Sequence, residues 1–283
     1  MKTLHIHIEG QVQGVGFRPF VYRLATELKL TGWVNNGVDG VHIEAQGNPE
    51  QVVNFITRLK EEAPVVSRIT TVTYREISHQ HFLKFEIIES KANGIPNLLI
   101  TPDIGLCDTC KTEINDRENH RYQYPFTTCT NCGPRYSIIK SLPYDRPTTT
   151  MHSFAMCPQC EEEYHNPQNR RYYSQTNSCP DCAIQARMLN SSGEQIANSW
   201  SESFPLLISA LEEGKIIAMK GIGGYLLLAD ACKEKVVRTL RERKHRPTKP
   251  FALMYPDLET LRLDAEVNEK EALEFTSIQS PIV

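Results

Sequence analysis

The chain has 283 residues, more than one small domain needs and enough for two or three. Lys and Arg number 31 against 34 Asp and Glu, the formal charge is −3 and 40% of residues are hydrophobic. That balance argues for a water-soluble protein and against wholesale nucleic-acid binding through net charge. No run approaches the roughly 18 apolar residues of a membrane span, and the opening MKTLHIHIEG lacks the apolar core of a signal peptide. A cytoplasmic location with no membrane partner is the expectation.

Residues 2–9 alternate, with Leu4, Ile6 and Ile8 on one face and His5 and His7 on the other, as in a half-buried strand. The two histidines read as solvent-facing strand residues rather than ligands. A glycine-rich turn follows, and Pro19 suits the first turn of a helix running to about Leu30. Strands are expected at 32–38 and 41–46, joined by a tight turn around Gly37–Gly40. Asn48-Pro49 opens a second helix, with Val52, Val53, Ile56 and Leu59 at helical spacing. Strands near 66–77 and 82–88 complete the order βαββαβ, the ferredoxin-like split motif, over residues 1–90.

From 91 to about 190 the periodicity fades and Cys, Pro, Asn and Tyr rise. Such a segment buries little apolar surface and needs another staple. The polar stretch 191–203 reads as a linker. From 204 an α/β pattern begins, with a helix ending at Gly214, buried strands at 215–219 and 225–229, and a helix over 233–243. Cys232 reads as an inert core thiol. The chain stops at Pro281-Ile282-Val283, which resembles the start of a further strand. The fold class is therefore α+β and multidomain: a βαββαβ domain, a metal-stapled module over 91–190 and a partial α/β domain over 200–283.

The loop GQVQGVGFR (10–18) joins a strand to a helix N-terminus. Gly10, Gly14 and Gly16 let backbone N–H groups converge, and the helix dipole adds positive potential there. Arg18 at the helix start can grip two phosphate oxygens. Asn36, in GWVNN (32–36), can orient a water for in-line attack on phosphorus. The bland reading is a glycine turn with a surface arginine. V-Q-G-V-x-F-R followed by G-W-V-x-N resembles the acylphosphatase family over essentially all of residues 1–90. The resemblance implies that Arg18 binds the phosphoryl group, Asn36 holds the nucleophilic water, and the backbone of Gln13, Gly14, Val15, Gly16 and Phe17 cradles phosphate. It also implies hydrolysis of a mixed carboxylic–phosphoric anhydride with neither metal nor covalent intermediate, by positioning and charge stabilisation.

Eight of the nine cysteines form four CxxC pairs: Cys107/Cys110, Cys129/Cys132, Cys157/Cys160 and Cys179/Cys182. Eighteen residues separate the pairs within each half, and the halves repeat at an offset of 50. Two CxxC turns complete a four-thiolate zinc site, which is closed and structural. Redox CxxC motifs and disulfides are the rival readings, and the repeated spacing disfavours both. Two Zn2+ per chain are expected. Sequential pairing is the simpler arrangement and an interleaved one stays open. His120, His152 and His165 lie nearby as outer or surface residues, with replacement of a thiolate by one of them left open. With 131–151 and 162–175 between them, the pairs resemble the zinc-finger module of the HypF family. Tyr173 stands where relatives often have His, and Ala183-Ile184 follow Cys182 where Gly-Pro is usual.

Residues 238–250 carry Arg238, Arg241, Arg243, Lys244, Arg246 and Lys249 against Glu242. The bland reading is a solvated helix face and a proline-broken loop; the functional one is a phosphate or RNA contact. Residues 220–231 with 241–254 resemble the YrdC-like domain of the same family, which implies nucleotide binding by Lys244, Arg246 and Lys249. A double-stranded RNA association also attaches to such folds, and ATP is the preferred ligand here.

The three resemblances fall in the order found in HypF-type hydrogenase-maturation carbamoyltransferases. That family implies phosphate release from carbamoyl phosphate, ATP-dependent carbamoyl adenylate formation, and transfer to a HypE-type partner on the way to the cyanide ligands of [NiFe]-hydrogenase. Two rivals remain: a non-catalytic zinc scaffold for protein partners or RNA, and a stand-alone acylphosphatase of broad substrate range. The chain reads as too short for the family's last domain and as ending within the nucleotide domain. Phosphate release without AMP formation or carbamoylation of HypE is the corresponding expectation.

Overall fold

Alternation makes β1 (Lys2–Gln11) a one-face-buried interior strand, with Leu4, Ile6 and Ile8 buried and His5 and His7 half-buried on the opposite face of the sheet. The computed structural model describes residues 1–283, in two units, Met1–Ala183 and Ile184–Val283. In the first unit β1 leads through the glycine loop to α1 (Phe17–Glu27), which starts two residues before Pro19. The helix stops short of Leu30 because Lys29 turns left-handed at φ 54 and the Leu30 amide bonds back to Ala25. β2 (Thr31–Gly37) and β3 (Gly40–Gly47) form a hairpin in register Gly37↔Gly40, and α2 (Pro49–Glu61) opens with a capping box between Asn48 and Gln51. β4 (Arg68–Glu76) and β5 (Phe85–Ile87) complete the sheet, in the order β4-β1-β3-β2-β5. All pairs are antiparallel except β2 with β5. Ile6, Ile8, Val34 and Ile43 of the sheet share one core with Val21 and Leu24 of α1 and Phe55 and Leu59 of α2. This is the ferredoxin-like arrangement, with β5 added at the edge.

Beyond β5 the chain has little regular structure. Two eight-residue helices, α3 (Asp108–Asn115) and α4 (Pro158–His165), each begin directly after the first cysteine of a CxxC pair. The remainder is turns and three short 3₁₀ segments at 136–138, 146–148 and 150–153.

In the second unit, residues 191–203 are not a plain linker. β6 (Met188–Leu189) and β7 (Gln195–Ala197) form a small hairpin, and α5 (Trp200–Glu212) begins earlier than expected because Ser199 caps it. β8 (Ile217–Lys220) and β9 (Tyr225–Leu228) pair only with each other. Their expected burial is not found: Tyr225, Leu226 and Leu227 are 74%, 54% and 44% exposed, since no third strand joins the ribbon. α6 (Glu234–Arg243), α7 (Leu258–Asp264) and α8 (Glu269–Phe275) follow. Cys232 is exposed rather than in a core, because it lies in a turn closed by its own amide on the Asp230 carboxylate. Residues 281–283 form no strand. No helix is long and apolar enough to cross a membrane.

Candidate functional site

The glycine loop delivers the N-terminus of α1 without a side-chain cap; Gly16 occupies the N-cap position. The amides of residues 14–16 enter no backbone hydrogen bond, and those of the first helical turn have no intrahelical acceptor. These are the donors an anion site requires. Gly14 and Gly16 hold φ of 73 and 74, and a Cβ at Gly14 would come within 2.9 Å of the Arg135 side chain. Left-handed backbone and close packing both demand glycine at position 14.

Arg18, on the first turn of α1, and Asn36, near the end of β2, both line the pocket at this loop. Both are buried, at 7% and 1% exposure. The Asn36 Oδ1 atom is buried with no hydrogen-bond partner, an acceptor left for a ligand or water. Gln13 contributes a side chain as well as backbone: its Nε2 donates to Gly37 O at 2.6 Å and Gly40 O at 2.8 Å, tying the loop to the hairpin that carries Asn36. Gln13, Gly14, Gly16 and Phe17 therefore converge with both polar side chains, whereas the Val15 side chain is buried in the core and does not line the pocket.

The cysteine-rich segment also enters this pocket. Asp145 pairs with Arg18 at 2.6 Å, and the Tyr144 carbonyl accepts from Asn36 Nδ2 at 3.3 Å and Arg18 Nη2 at 3.4 Å. Arg135 Nε donates to Gly14 O, and the Tyr144 amide donates to Gln13 Oε1 at 2.9 Å. Tyr173, left-handed at φ 54, lays its ring 5.7 Å from the Arg18 guanidinium carbon. Complete burial of Tyr144 pushes its phenol pKa up, so the ring enters the site as a neutral group. None of Arg135, Tyr144 and Asp145 was expected here, because no periodicity relates positions more than 100 residues apart.

The eight paired cysteines form two clusters, Cys107/Cys110/Cys129/Cys132 and Cys157/Cys160/Cys179/Cys182. Pairing is thus sequential. Sulfur–sulfur distances run from 3.6 to 3.8 Å in the first cluster and 3.6 to 3.7 Å in the second. Zn–S bonds of about 2.3 Å give a tetrahedron edge of about 3.8 Å, whereas a disulfide needs about 2.05 Å. The clusters therefore fit two structural zinc ions, and no histidine replaces a thiolate.

Arginines bind the halves together reciprocally. Arg121 of the first half is fully buried and reaches Glu163 Oε1 at 2.9 Å, Ser178 O at 2.8 Å and Cys160 Sγ at 3.5 Å, all in the second half. Arg171 of the second half reaches Glu113 and, at 3.0 Å, Thr128 O of the first. Arg170 adds Nη2 contacts to Cys107 Sγ at 3.3 Å and Cys110 Sγ at 3.1 Å. Burial alone would raise the Glu163 carboxyl pKa, but the Arg121 hydrogen bond and the charges of Arg121 and Arg171 hold it below the usual carboxylate range. Each half thus supplies cations to the other half's thiolates, offsetting the excess negative charge of a four-thiolate zinc site.

In the second unit Lys244, Arg246 and Lys249 lie just after α6, with Lys244 and Lys249 exposed and Arg246 partly so. Arg246 stacks on Phe251 at 5.2 Å and donates to the carbonyls of Lys249 and Pro250; Arg241 stacks on the same ring at 4.8 Å. Arg241 and Arg246 are thus tied up in their own loop, while Lys244 and Lys249 stay exposed.

A glycine loop at a helix N-terminus on a ferredoxin-like sheet, joined to paired four-cysteine clusters, defines an acylphosphatase-type fold with a zinc-finger module. Family models agree: Acylphosphatase over 4–87, HypF finger over 106–139 and 156–189, and Telomere recombination over 209–283. Among curated relatives, the carbamoyltransferase HypF of Synechocystis is 46% identical over 100% of this chain and 37% of its own length. An acylphosphatase of Pseudothermotoga lettingae is 38% identical over 31% of this chain and 99% of its own length. The crystal structure of a full-length HypF in the phosphate- and nucleotide-bound form matches with a TM-score of 0.92 and 39% identity over 98% of this chain and 36% of that one. The chain belongs to the carbamoyltransferase HypF family and corresponds to its N-terminal portion, spanning little more than a third of the curated relatives' length.

Proposed function

We propose that residues 1–183 hydrolyse an acyl phosphate, carbamoyl phosphate being the substrate that the family resemblance implies. The observation carrying this reading is the convergence of Arg18, Asn36 and the uncapped α1 N-terminus at one pocket. Loop amides and Arg18 bind the phosphoryl oxygens, and Asn36 Oδ1 accepts a hydrogen bond from the attacking water. The water oxygen bonds to phosphorus while the bridging P–O bond breaks, its electron pair leaving on carbamate; the water's proton passes to the product phosphate. Charge that builds on the phosphoryl oxygens in this step meets donors already in place. The zinc ions have no open position and serve to fold the finger module.

In the whole protein, carbamate would pass to an ATP-dependent adenylation site in the YrdC-like domain, with Lys244, Arg246 and Lys249 contacting nucleotide. Transfer to a HypE-type partner in the cytoplasm would follow, toward [NiFe]-hydrogenase maturation. The β8–β9 ribbon pairs with no third strand, which favours phosphate release over AMP formation as the activity of the residues present. The test is phosphate release from carbamoyl phosphate by the zinc-loaded chain. Arg18→Ala should lower kcat/KM by roughly 10²–10³-fold, the scale of losing a donor to a developing oxyanion. A wild-type rate in that variant would remove the mechanism.

A further inference from the structure

We propose that Asp145, together with the Tyr144 carbonyl, is a specificity determinant of the phosphate-loop site, selecting acyl phosphates whose acyl group carries N–H donors over those ending in an alkyl group. This rests on the hydrolytic reading above and specifies what that site chooses.

A site built only to hold phosphate needs donors. The loop amides, the α1 N-terminus and Arg18 supply them. The finger module nevertheless brings two acceptors to the same place, the Asp145 carboxylate on Arg18 at 2.6 Å and the Tyr144 carbonyl between Arg18 and Asn36. For phosphate alone this is unfavourable, because a carboxylate repels phosphoryl oxygens and competes for their cation. Its position is nevertheless firmly fixed. Tyr144 N is held by Gln13, Thr148 Oγ1 bridges the Asp145 amide at 3.0 Å and Pro143 O at 2.6 Å, and the Arg146 side chain bonds to Gln175 O, Asn177 O and Phe154 O.

The site therefore has donors from the acylphosphatase fold and, from the fingers, two acceptors on the Arg18 guanidinium: the Tyr144 carbonyl, whose residue lines the pocket, and the Asp145 carboxylate beside it. Asp145 engages the guanidinium through Nη2, while the Arg18 Nε–H makes no hydrogen bond within the protein and is left for a phosphoryl oxygen. A substrate that satisfies both sets of groups is an acyl phosphate whose acyl group bears N–H groups a few bonds from phosphorus. Carbamoyl phosphate, with its NH2, has that pattern. Acetyl phosphate presents a methyl group, which offers no donor to the Tyr144 carbonyl or to the Asp145 oxygen that Arg18 leaves free.

The experiment measures kcat/KM for carbamoyl phosphate and acetyl phosphate with the zinc-loaded chain, as wild type, Asp145→Ala and Asp145→Asn, with inhibition by inorganic phosphate as a binding probe. Zinc content and circular dichroism verify folding, and the isosteric Asn variant serves if Ala perturbs the loop. Wild type should prefer carbamoyl phosphate. Asp145→Ala should lower its kcat/KM while raising that for acetyl phosphate, so that the ratio falls roughly 10- to 100-fold. Asp145→Asn should keep part of the preference. A parallel rise for both substrates with tighter phosphate inhibition would make Asp145 only a plug over Arg18, and a parallel fall only a structural support; either overturns the proposal, as does a wild-type ratio near one. Failure of wild type to hydrolyse either substrate would remove the hydrolytic reading and this proposal together.

Discussion

Each half of the finger module should lose zinc when an arginine in the other half is removed. Arg121 is fully buried and the Glu163 side chain is 12% exposed, so Arg121→Ala breaks a buried pair and strips hydrogen bonds from Ser178 O and the Asn177 side chain. Breaking such a pair from one side costs roughly 3–5 kcal/mol. Glu163 keeps Arg171 at 3.7 Å and Asn177 Nδ2 at 3.2 Å, which places the loss toward the lower figure. Metal binding and folding are one equilibrium in such modules, so roughly 3 kcal/mol appears as about a 10²-fold weaker zinc affinity. The loss should fall on Cys157, Cys160, Cys179 and Cys182, although Arg121 belongs to the other half. Chelator titration with cysteine alkylation read by peptide mass spectrometry resolves the two clusters. Arg171→Ala should expose Cys107, Cys110, Cys129 and Cys132 at lower chelator, the mirror result. Weakening confined to the arginine's own half, or no change in either, would refute the reciprocal bridge.

Asn36→Ala should reduce kcat roughly 10²-fold with little change in inhibition by inorganic phosphate, because a water-orienting amide acts mainly in the transition state; equal losses in both would make Asn36 a binding group instead. Purified chain should carry two zinc ions per molecule by elemental analysis, and a value near one or zero would contradict the two clusters. Chelation should disorder 107–182 yet leave acetyl phosphate hydrolysis, since residues 1–90 have their own core, while preference for carbamoyl phosphate disappears; abolition of all hydrolysis would mean that the loop depends on Arg135 and Gln13 contacts for its shape. In hydrogen exchange, β8 and β9 should be less protected than β1 and β3, because an isolated two-stranded ribbon with exposed side chains opens at low cost; equal protection would show that the ribbon is covered in solution.

What could be read in advance followed from local rules. Alternation in β1, the capping residues of α2 and glycines before a helix each state their structure within a few residues. The CxxC spacing states its metal. The reciprocal arginines were also legible, though not recognised: the 50-residue repeat extends past the cysteines to Glu113/Glu163, Asn119/Asn169, Arg121/Arg171 and Tyr122/Tyr172. A charged pair repeated with a metal site is a sign of interlocking, because neither charge can be buried alone. Burial of β8 and β9 failed as an expectation because an apolar run states what a strand would cover, not whether a partner is present. The Arg18–Asp145 contact had no sequence signal at all. Nothing in PYDRP distinguishes a plain turn from one that meets an arginine 127 residues away.

That contact gives the fusion of these modules a physical rationale. The acylphosphatase fold closes a core of its own, whereas the finger segment has only two small buried apolar clusters, one of them made of its cysteines. A loop with so little core cannot by itself hold a carboxylate against a buried guanidinium, because its conformational entropy would favour release to water. Zinc and the arginine bridges remove that freedom. Fixing the second wall with metal rather than apolar packing lets the segment present polar groups inward, on Asp145 and the Tyr144 carbonyl, where a hydrophobic lid would have presented alkyl groups. The polarity of the substrate's acyl end is thus set by the module that does not bind phosphate.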